Sequence, residues 1–500
     1  MESNVEEILK KADELSSPIN FEQNEIAMIL AAGHGKRIKS QKSKMLHQIY
    51  GLPTVERVYR ACAGKDSSMN AVLVVGIKAI DVMSVIGKRG SISFAYQAEQ
   101  KGTGHALQVG IERIGNDSFN GTLYVLPGDM GLLDRETMDM FRKEFRSSSS
   151  DMMVLTGLFD GPPELNAYGR IIRVKATDKL GNSAGPDFNK VIEIIENKDI
   201  QALEENGVYE TAYNSKIYSY SKEELINNNE FNSGVYAFDY QKLLKLVYNL
   251  GSQNAQNEIY ITDLIKLFND AGHSVAAVSP KDQRVVMGFN DKSVLKEMDT
   301  IYRQGIYEKV GNILEIDDPE DFFIDESVIE QILEMDAKGV PLEIKIGKGV
   351  HIGKGVKLNY NIKMYKNVFV SGNIALGKNV IIYENAYLSC YPNQKFVVGD
   401  NVEILWGNII KGSVLIGDNC RIESSVNITG SDDSPTILGK NVLIKGTSYI
   451  FGTIIEDDVK VEHSVLVRKK VNRVIKRNGK VQEVRYFLPM PAGLDAIEER

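Results

Sequence analysis

The sequence predicts the α/β fold class, with a strand–helix–strand domain of mostly parallel sheet followed by a parallel β-helix. Two observations support this prediction. In the first half, short apolar runs alternate with helical patterns around residues 54–63 and 103–114. In the second half, aliphatic residues recur at every sixth position from about residue 342 onward. The first pattern is typical of parallel sheets covered by helices, and the second is typical of stacked β-helix coils.

The strand candidates of the first half are short and almost entirely apolar. They lie at residues 26–32, 72–76 and 123–126, with helical stretches between them. This alternation indicates a Rossmann-like arrangement with helices on both faces of the sheet. Ligands of such sheets bind beyond the carboxyl ends of the strands, so polar residues that follow these runs are the first candidates for a functional site.

Two aliphatic series run through the second half in one six-residue register. The first comprises Ile346, Ile352, Leu358, Met364, Val370, Leu376 and Ile382. The second comprises Val350, Val356, Ile362, Val368, Ile374 and Val380. Because each six-residue unit forms one side of a prism, stacked coils bury such columns. We therefore expect both series in the interior of a β-helix.

The composition is that of a globular protein with several domains. The chain has 500 residues, 43% hydrophobic and 25% charged, which is too long for one ordinary core. Its net charge of −8 gives no reason to expect a nucleic-acid partner, and no apolar run is long enough to span a membrane. The N-terminus lacks the apolar run of a secretory signal, and three cysteines suggest neither a disulfide framework nor a metal cluster. A reducing cytoplasm fits these features.

We expect five segments along the chain. The N-terminal extension has an amphipathic helical stripe formed by Val5, Ile8, Leu9, Ala12 and Leu15. The expected boundaries are 1–22 for this helical extension, 23–290 for the α/β domain, 291–340 for a helical connector, 341–470 for the β-helix, and 471–500 for a hairpin and C-terminal tail.

The strongest local signal follows the first strand. Residues 30–37 read LAAGHGKR, and residues 43–47 read SKMLH. A turn of small residues lets backbone N–H groups approach phosphates, and Arg37 and Lys44 supply cations that would neutralise a triphosphate. An ordinary glycine turn with solvated charges explains this stretch equally well when it is taken alone.

Two later segments favour ligand binding. Residues 97–106, QAEQKGTGHA, open a helix, and Gln97 offers a flat amide that suits a nucleobase. Asp129 follows the strand at 123–126, at the expected ligand-binding edge. A lone aspartate there is often a helix cap or turn former, so a metal role depends on the suspected triphosphate.

These segments resemble, in the same order, those of the bacterial N-acetylglucosamine-1-phosphate uridylyltransferases (UDP-N-acetylglucosamine pyrophosphorylases) of the sugar nucleotidyltransferase family. The resemblance covers roughly residues 25–320 and, in general form, the β-helix. The matching segments are LAAGHG (30–35), SKMLH (43–47), QAEQKGTGHA (97–106), GD (128–129), YGR (168–170), IENK (195–198), FNSG (231–234), NEIYITD (257–263) and GFN (288–290). So many segments in the family's order make coincidence improbable.

The resemblance implies a substrate pair, a cofactor and an assembly. UTP and N-acetylglucosamine 1-phosphate would give UDP-N-acetylglucosamine and pyrophosphate with Mg²⁺, and a left-handed β-helix would associate as a homotrimer. The implied roles are catalytic for Arg37 and Lys44, nucleotide-binding for Ala31, Ala32, Gly33, Gln97, Gly102 and Thr103, sugar-binding for Gly169, Glu196 and Asn232, and metal-binding for Asp129 and Asn290.

The sequence also departs from the family pattern. Lys36, Ile38 and Ser43 stand where the family usually has Thr, Met and Pro. The extra cation affects triphosphate affinity, and Ser43 leaves the loop less rigid because proline would restrict φ. These changes bear on efficiency and nucleotide preference more than on reaction type.

The second half lacks the segments that accompany acetyl transfer in bifunctional members of the family. We find no RPG turn, no HLTYLGD-like loop and no CNYDG-like loop, and we expect His351 and His463 to be isolated surface residues. The β-helix is therefore expected to serve oligomerisation or regulation. The alternatives that stay open are another sugar-1-phosphate nucleotidyltransferase, a bifunctional enzyme that also acetylates glucosamine 1-phosphate, and a non-catalytic regulatory homologue.

Overall fold

The chain forms two compact units, Met1–Asp299 and Thr300–Arg500. The computed structural model describes residues 5–33, 38–64, 69–254 and 257–487. Within these ranges, no helix combines the length and the apolar character needed to cross a membrane.

The first unit alternates strands and helices. Its strands are β1 Glu25–Ala31, β2 Gln48–Ile49, β3 Leu52–Pro53, β4 Asn70–Val75, β5 Ile92–Tyr96, β6 Thr122–Pro127, β7 Met152–Leu158, β8 Arg170–Arg173, β9 Val191–Ile195, β10 Val208–Tyr213, β11 Lys216–Ser221, β12 Glu230–Asp239 and β13 Val275–Val278. Its helices are α1 Val5–Leu15, α2 Thr54–Ala63, α3 Ala79–Ile86, α4 Thr103–Ile114, α5 Arg135–Ser147, α6 Asn197–Ala202, α7 Lys222–Asn227, α8 Tyr240–Leu246 and α9 Asp263–Asp270. A further helix, α10 Lys292–Val310, crosses the boundary between the units.

A central sheet organises this unit, with the strand order β13-β7-β12-β6-β1-β4-β5. β1 runs parallel to both β4 and β6, and β4 runs parallel to β5. β12 is antiparallel to its neighbours β6 and β7. β8 and β9 extend the sheet beside β12, and of its nine strands β12 and β9 are reversed. The sheet is thus mostly parallel, as the sequence predicts, and the carboxyl ends of β1, β4, β5 and β6 lie at one edge.

Apolar side chains alternate between the two faces of this sheet. Ile29, Leu73 and Leu126 belong to the core cluster that includes α2, α3 and α5. Met28 and Val125 belong to the cluster that includes α4, α8 and α9. Because successive strand residues point to opposite faces, a strand covered by helices on both sides is apolar throughout, which is why these strands read as uninterrupted apolar runs.

The N-terminal helix α1 packs against the edge strand β5. Ile8 and Ala12 are buried, and the backbone N–H of Ser17 donates to the carbonyl of Ile92 at 2.7 Å. Val5 and Leu9, also predicted to lie on the apolar stripe, are each 49% exposed. The buried face is narrower than predicted, because β5 and α3, which both contact α1, leave Val5 and Leu9 at its margin.

The second unit is a β-helix of very short strands. They are β14 Glu315–Ile316, β15 Phe322–Ile324, β16 Lys345–Ile346, β17 Val350–Ile352, β18 Lys363–Met364, β19 Phe369–Ser371, β20 Ile374–Leu376, β21 Ile381–Ile382, β22 Tyr387–Ser389, β23 Phe396–Val398, β24 Glu403–Ile404, β25 Ile409–Gly412, β26 Val414–Ile416, β27 Arg421–Ile422, β28 Asn427–Gly430, β29 Thr436–Leu438, β30 Leu443–Lys445, β31 Tyr449–Phe451, β32 Ile454–Ile455, β33 Lys460–Glu462, β34 Val465–Val467 and β35 Lys470–Val471. One helix, α11 Glu326–Asp336, lies between β15 and β16.

These strands stack into three parallel sheets. The first is β14-β16-β18-β21-β24-β27-β30-β33, the second is β15-β17-β19-β22-β25-β28-β31-β34, and the third is β20-β23-β26-β29-β32-β35. Every member of both predicted aliphatic series is buried, at 8% exposure or less. The predicted left-handed parallel β-helix is therefore confirmed, and the six-residue period is the length of one side of each coil.

Asparagines mark one corner of the β-helix. Their φ angles are positive, a conformation that asparagine tolerates better than most residues. The side-chain amide of each donates to the amide oxygen of the next, at 2.7 to 3.1 Å, along Asn361, Asn379, Asn401, Asn419 and Asn441. Neighbouring asparagines lie 18 or 22 residues apart in the sequence, which is the length of one coil without or with a short insertion. This coil repeat is longer than the six-residue repeat of a single side.

Two segments of the second unit differ from expectation. The predicted connector, 291–340, is helical only in part, because β14 and β15 between its helices already belong to the first coil of the β-helix. His351 is not isolated: its ring stacks between Phe323 and Phe369, at centroid distances of 4.4 and 4.6 Å. These three residues occupy the same outward position on successive coils, which the sequence period alone did not reveal.

Candidate active site

The phosphate-loop candidates begin at the carboxyl end of β1. Ala31 and Ala32 are buried, whereas Gly33 is exposed. The side-chain amide of Gln100 donates to the carbonyl of Ala32 at 2.6 Å, which ties the end of β1 to the segment after β5. Residues 34–37 follow directly, and Arg37 therefore lies outside the residues that the structure describes.

Lys44 brings the two predicted metal ligands together. Its amine donates to Oδ2 of Asp129 and, at 3.3 Å, to Oδ1 of Asn290. The side chains of Lys44 and Asp129 are only 11% and 17% exposed, so water screens the pair weakly. Asp129 and Asn290 thus lie on either side of one amine, while their role in holding a metal stays a prediction.

Three separate segments position these groups. Asp129 follows β6, and the N–H of Gly128 donates to the carbonyl of Leu30 in β1 at 3.0 Å. Lys44 begins a single 3-10 turn that is anchored to α2, because Thr54 Oγ1 donates to the carbonyl of Met45 at 3.2 Å. Next to Asn290, the ring of Phe289 lies 5.1 Å from the Lys44 amine.

The donor set suits a hard divalent cation. Carboxylate and amide oxygens are the protein ligands that Mg²⁺ prefers, and one or two of them suffice when water and phosphate oxygens complete the shell. Among the described residues, no group of three or more His, Cys, Asp or Glu side chains is arranged to hold a metal. A metal at this edge would therefore rely on Asp129, Asn290 and the substrate.

The base-pocket candidates form a clamp with the NEIYITD segment. Gly104 N–H donates to the carbonyl of Ile259 at 2.8 Å, and the N–H of Ile259 donates to the carbonyl of Lys101 at 2.7 Å. The hydroxyl of Thr103 accepts from the N–H of Ile261 at 3.2 Å. Two segments that lie 158 positions apart in the sequence thus form one wall.

Gly102 allows this close approach. Its φ is +111° with ψ of 177°, a region that only glycine occupies readily. A Cβ at this position would lie 2.4 Å from the carbonyl oxygen of Ile259. The glycine is therefore required by both its backbone conformation and the neighbouring chain.

Gln97 is almost fully buried beside this clamp, at 3% exposure. Its amide nitrogen lies 3.3 Å from the carbonyl oxygen of Gly102 and 3.1 Å from Nδ1 of His105. A carbonyl oxygen only accepts, so the amide nitrogen must face it, and the histidine nitrogen must then accept as well. Both amide hydrogens are used inside the protein, which leaves the Gln97 oxygen for a ligand. His105 is a contributor that the sequence analysis did not single out.

The three sugar-pocket candidates also meet. The N–H of Asn232 donates to the carbonyl of Gly169 at 2.9 Å. A Cβ on Gly169 would lie 3.3 Å from Oε2 of Glu196, so the glycine leaves room beside that carboxyl group. Asn232 sits at an irregularity in the β12–β7 pairing, and its side-chain amide donates to the hydroxyl of Tyr236 at 2.7 Å.

The carboxyl groups of this pocket have perturbed acidity. Burial raises the pKa of Glu196 to about 7, helped by the charges of Asp199 and Asp263. Burial likewise raises the pKa of Asp263 to about 6. Asp263 and Tyr236 were not predicted as site residues, although Asp263 ends the NEIYITD segment that carried the resemblance. A carboxyl group that changes charge near neutral pH often marks a functional site.

Comparison with known proteins agrees with this geometry. The family described as the MobA-like NTP transferase domain matches residues 27–181. The bifunctional protein GlmU of Acetivibrio thermocellus is 34% identical over 306 residues, covering 61% of this chain and 57% of that protein. The GlmU proteins of Pelobacter propionicus and Caldanaerobacter subterraneus subsp. tengcongensis are 32% and 31% identical, over 61% of this chain in each case.

The chain spans only 57 to 58% of the length of these relatives, so the comparison does not carry their whole activity over to it. The range matched by the family model, 27–181, includes most of β1 and the segments LAAGHG, SKMLH, QAEQKGTGHA, GD and YGR identified in the sequence. The resemblance inferred from the sequence is thus confirmed: residues 27–181 match the MobA-like NTP transferase domain, and the chain is similar to the GlmU proteins over about three fifths of its length.

Proposed function

We propose that this protein transfers a uridylyl group from UTP to N-acetylglucosamine 1-phosphate, giving UDP-N-acetylglucosamine and pyrophosphate. The observation that carries the proposal is the convergence of Lys44, Asp129 and Asn290 from three distant segments at the ligand-binding edge of the sheet. The similarity to proteins named GlmU and the matched NTP transferase domain support it.

The reaction needs positioning and charge neutralisation rather than a general base. An oxygen of the sugar phosphate attacks the α-phosphorus of UTP in line, the bond to the β-phosphate oxygen breaks, and pyrophosphate leaves with its electron pair. Lys44 and Arg37 are proposed to hold the phosphate oxygens while negative charge shifts to the leaving group. Mg²⁺, when bound by Asp129 and Asn290, would neutralise phosphate charge and orient the two reacting groups.

The remaining candidate residues are proposed to bind the two substrates. Ala31, Ala32 and Gly33 would approach the nucleotide with their backbone, next to the clamp formed by Gly102 and Thr103. Glu196 and Asn232 would accept and donate hydrogen bonds to sugar hydroxyls, and Gly169 would leave space for the ring. None of the three cysteines, all of which lie in the described residues, forms a disulfide, which supports the proposed reducing, cytoplasmic setting.

The test is a pyrophosphate-release assay with four nucleoside triphosphates against several sugar 1-phosphates. We expect the highest kcat/KM with UTP and N-acetylglucosamine 1-phosphate, and no release without a divalent metal. A different preferred pair would favour another sugar-1-phosphate nucleotidyltransferase. No release with any pair would favour a non-catalytic homologue.

The bifunctional alternative is tested separately. Free CoA is measured after acetyl-CoA and glucosamine 1-phosphate are supplied, and we expect none above background. Turnover abolished by His351→Ala or His463→Ala would establish acetyl transfer instead. Burial lowers the pKa of His351, which favours the neutral ring that a general base requires, so the His351 variant tests this alternative directly.

Replacing Gln97 by alanine should weaken UTP binding more than sugar-phosphate binding. The substitution removes the Gln97 side-chain oxygen, which is proposed to accept a hydrogen bond from the base of UTP. The loss of such a hydrogen bond should weaken UTP binding roughly tenfold. KM for UTP and KM for the sugar phosphate are measured for the variant and for the unaltered protein. Gln108→Ala is the matched control, since the Gln108 amide donates to the carbonyl of Val247 instead, and it should leave both values unchanged. Equal use of CTP and UTP by the unaltered protein would show that Gln97 does not read the base.

Sugar-phosphate binding should strengthen as pH rises through about 7. Glu196 has a pKa of about 7, so it becomes a carboxylate over this range, and a carboxylate accepts hydrogen bonds more strongly than a carboxylic acid. We expect KM for the sugar phosphate to fall by roughly fivefold between pH 6 and 8. Glu196→Gln stays neutral and should lose this dependence. Identical pH profiles for the two proteins would assign the change to the substrate's own phosphate.

A homotrimer held mainly by residues 340–470 is the expected assembly. The outward positions of the third sheet are apolar from coil to coil, at Ala375, Val397, Leu415 and Ile437, whereas the first sheet presents charged residues such as Lys363. A trimer mass by light scattering at micromolar concentration is expected. Leu415→Glu should give a monomer, and Lys363→Glu on the charged face should not. A monomeric unaltered protein would contradict the prediction.

A further inference from the structure

The two predicted metal ligands are bridged by a cation of the chain itself. The Lys44 amine donates to Asp129 Oδ2 and, at 3.3 Å, to Asn290 Oδ1, so it occupies the space between two oxygens that face each other. An ammonium held there shows that this space accommodates a positive charge. A metal that binds the same two oxygens competes with the amine for the space between them, because two cations at such short range repel each other.

The surroundings let the amine move without moving the chain. The Lys44 backbone lies in the 3-10 turn Lys44–Leu46, where the N–H of Leu46 donates to the carbonyl of Ser43 at 3.0 Å. The following residue is tied to α2, since the N–H of Thr54 donates to the carbonyl of His47 at 3.0 Å. The lysine side chain, in contrast, has four rotatable bonds and is held mainly by Asp129, Asn290 and the ring of Phe289.

We propose that Lys44 is a built-in counterion that keeps Asp129 and Asn290 together before the metal arrives and is displaced by it. This inference rests on the proposed function, which supplies the metal and the triphosphate. Once displaced, the amine is available to the phosphate oxygens. Metal and nucleotide binding then reinforce each other, because the triphosphate gives the released amine a new partner and the metal frees the amine for the triphosphate.

The inference predicts that removing the amine strengthens metal binding when no nucleotide is present. Mn²⁺ is titrated into the full chain and free Mn²⁺ is read by electron paramagnetic resonance. We expect Lys44→Met to bind Mn²⁺ roughly tenfold more tightly than the unaltered protein. Lys242→Met is the matched control, since Lys242 forms a similar ion pair with Asp151 elsewhere in the unit, and its Mn²⁺ affinity should be unchanged. Asp129→Asn should weaken binding in both backgrounds.

Chemical labelling of lysines gives a second readout. At fixed pH, acetic anhydride should modify Lys44 several-fold faster with saturating Mn²⁺ than without metal, while the labelling of Lys242 stays constant. Mass spectrometry of the digested protein measures both sites in one sample. Equal or weaker Mn²⁺ binding by Lys44→Met, no measurable binding by either protein, or Mn²⁺-independent labelling of Lys44 would overturn the inference.

Failure of this inference and failure of the proposed function are separable. Both readouts are taken without UTP, sugar phosphate or turnover. If the unaltered protein releases pyrophosphate but Lys44→Met binds Mn²⁺ no more tightly than it does, the proposed reaction stands and the counterion role of Lys44 is ruled out. If Lys44→Met binds Mn²⁺ more tightly but the unaltered protein releases no pyrophosphate, the counterion role stands and the proposed reaction is ruled out.

Discussion

Replacing Asp129 by alanine is expected to lower pyrophosphate release by about a thousandfold, since it removes both the charged metal ligand and the partner of Lys44. The fold should persist, because the side chain lies at the edge of the sheet and fills no part of the core. Steady-state release from UTP at saturating Mg²⁺ measures the change, and circular dichroism shows whether the protein remains folded.

Asp134→Ala provides a control only five positions away. Asp134 caps α5, where its carboxylate accepts from the N–H of Thr137 at 2.8 Å. Its loss should cost about 1 kcal/mol of stability and leave turnover close to normal. Near-normal turnover of Asp129→Ala with Mg²⁺ would refute the metal assignment for that residue.

Replacing Gly102 by alanine is expected to damage both stability and nucleotide binding. The backbone conformation at φ +111° and the contact with Ile259 cannot both persist with a Cβ present. The cost should be about 1 to 3 kcal/mol, and KM for UTP should rise by tenfold or more as the clamp opens. Thermal melting and initial rates over a range of UTP concentrations measure the two effects.

Gly90→Ala is the matched glycine control, because nothing lies within 4 Å of the position that its Cβ would take. It should be close to neutral in melting temperature and in KM. If Gly102→Ala kept the KM of the unaltered protein, the wall formed with residues 257–263 would not belong to the nucleotide site.

The local pattern of the chain predicted much of the architecture. Strand candidates at 26–32, 72–76 and 123–126 correspond to β1, β4 and β6, and the helices predicted at 54–63 and 103–114 are α2 and α4. The period of the apolar residues reports which side of an element is buried, so these elements could be predicted without knowledge of the tertiary contacts. The partial burial of α1 and the two strands inside the predicted connector could not be predicted from the sequence. Both features depend on which element of the fold packs against each segment.

The candidate site, like the fold, could be predicted from the sequence only in part. The phosphate-loop, base and strand-end candidates came from short segments whose residue types suit a phosphate, a base and a metal. The sugar candidates and Asn290 came from the resemblance alone, which also gave every residue its role. Their mutual contacts did not follow from composition. The amide of Gln97 is committed to Gly102 and His105, and Glu196 acquires a raised pKa only through burial beside Asp199 and Asp263.

The hydrophobic period of the chain was enough to indicate the fold class and the six-residue β-helix register, because such a period is a local property. The full set of candidate site residues came from the resemblance to a known family. The tertiary structure was needed to show that Lys44 meets Asp129 and Asn290, which lie 85 and 246 positions away. It also decided that His351 stacks between aromatic rings of neighbouring coils. Such contacts depend on the order in which strands pair and coils stack, and no short window of sequence contains that order.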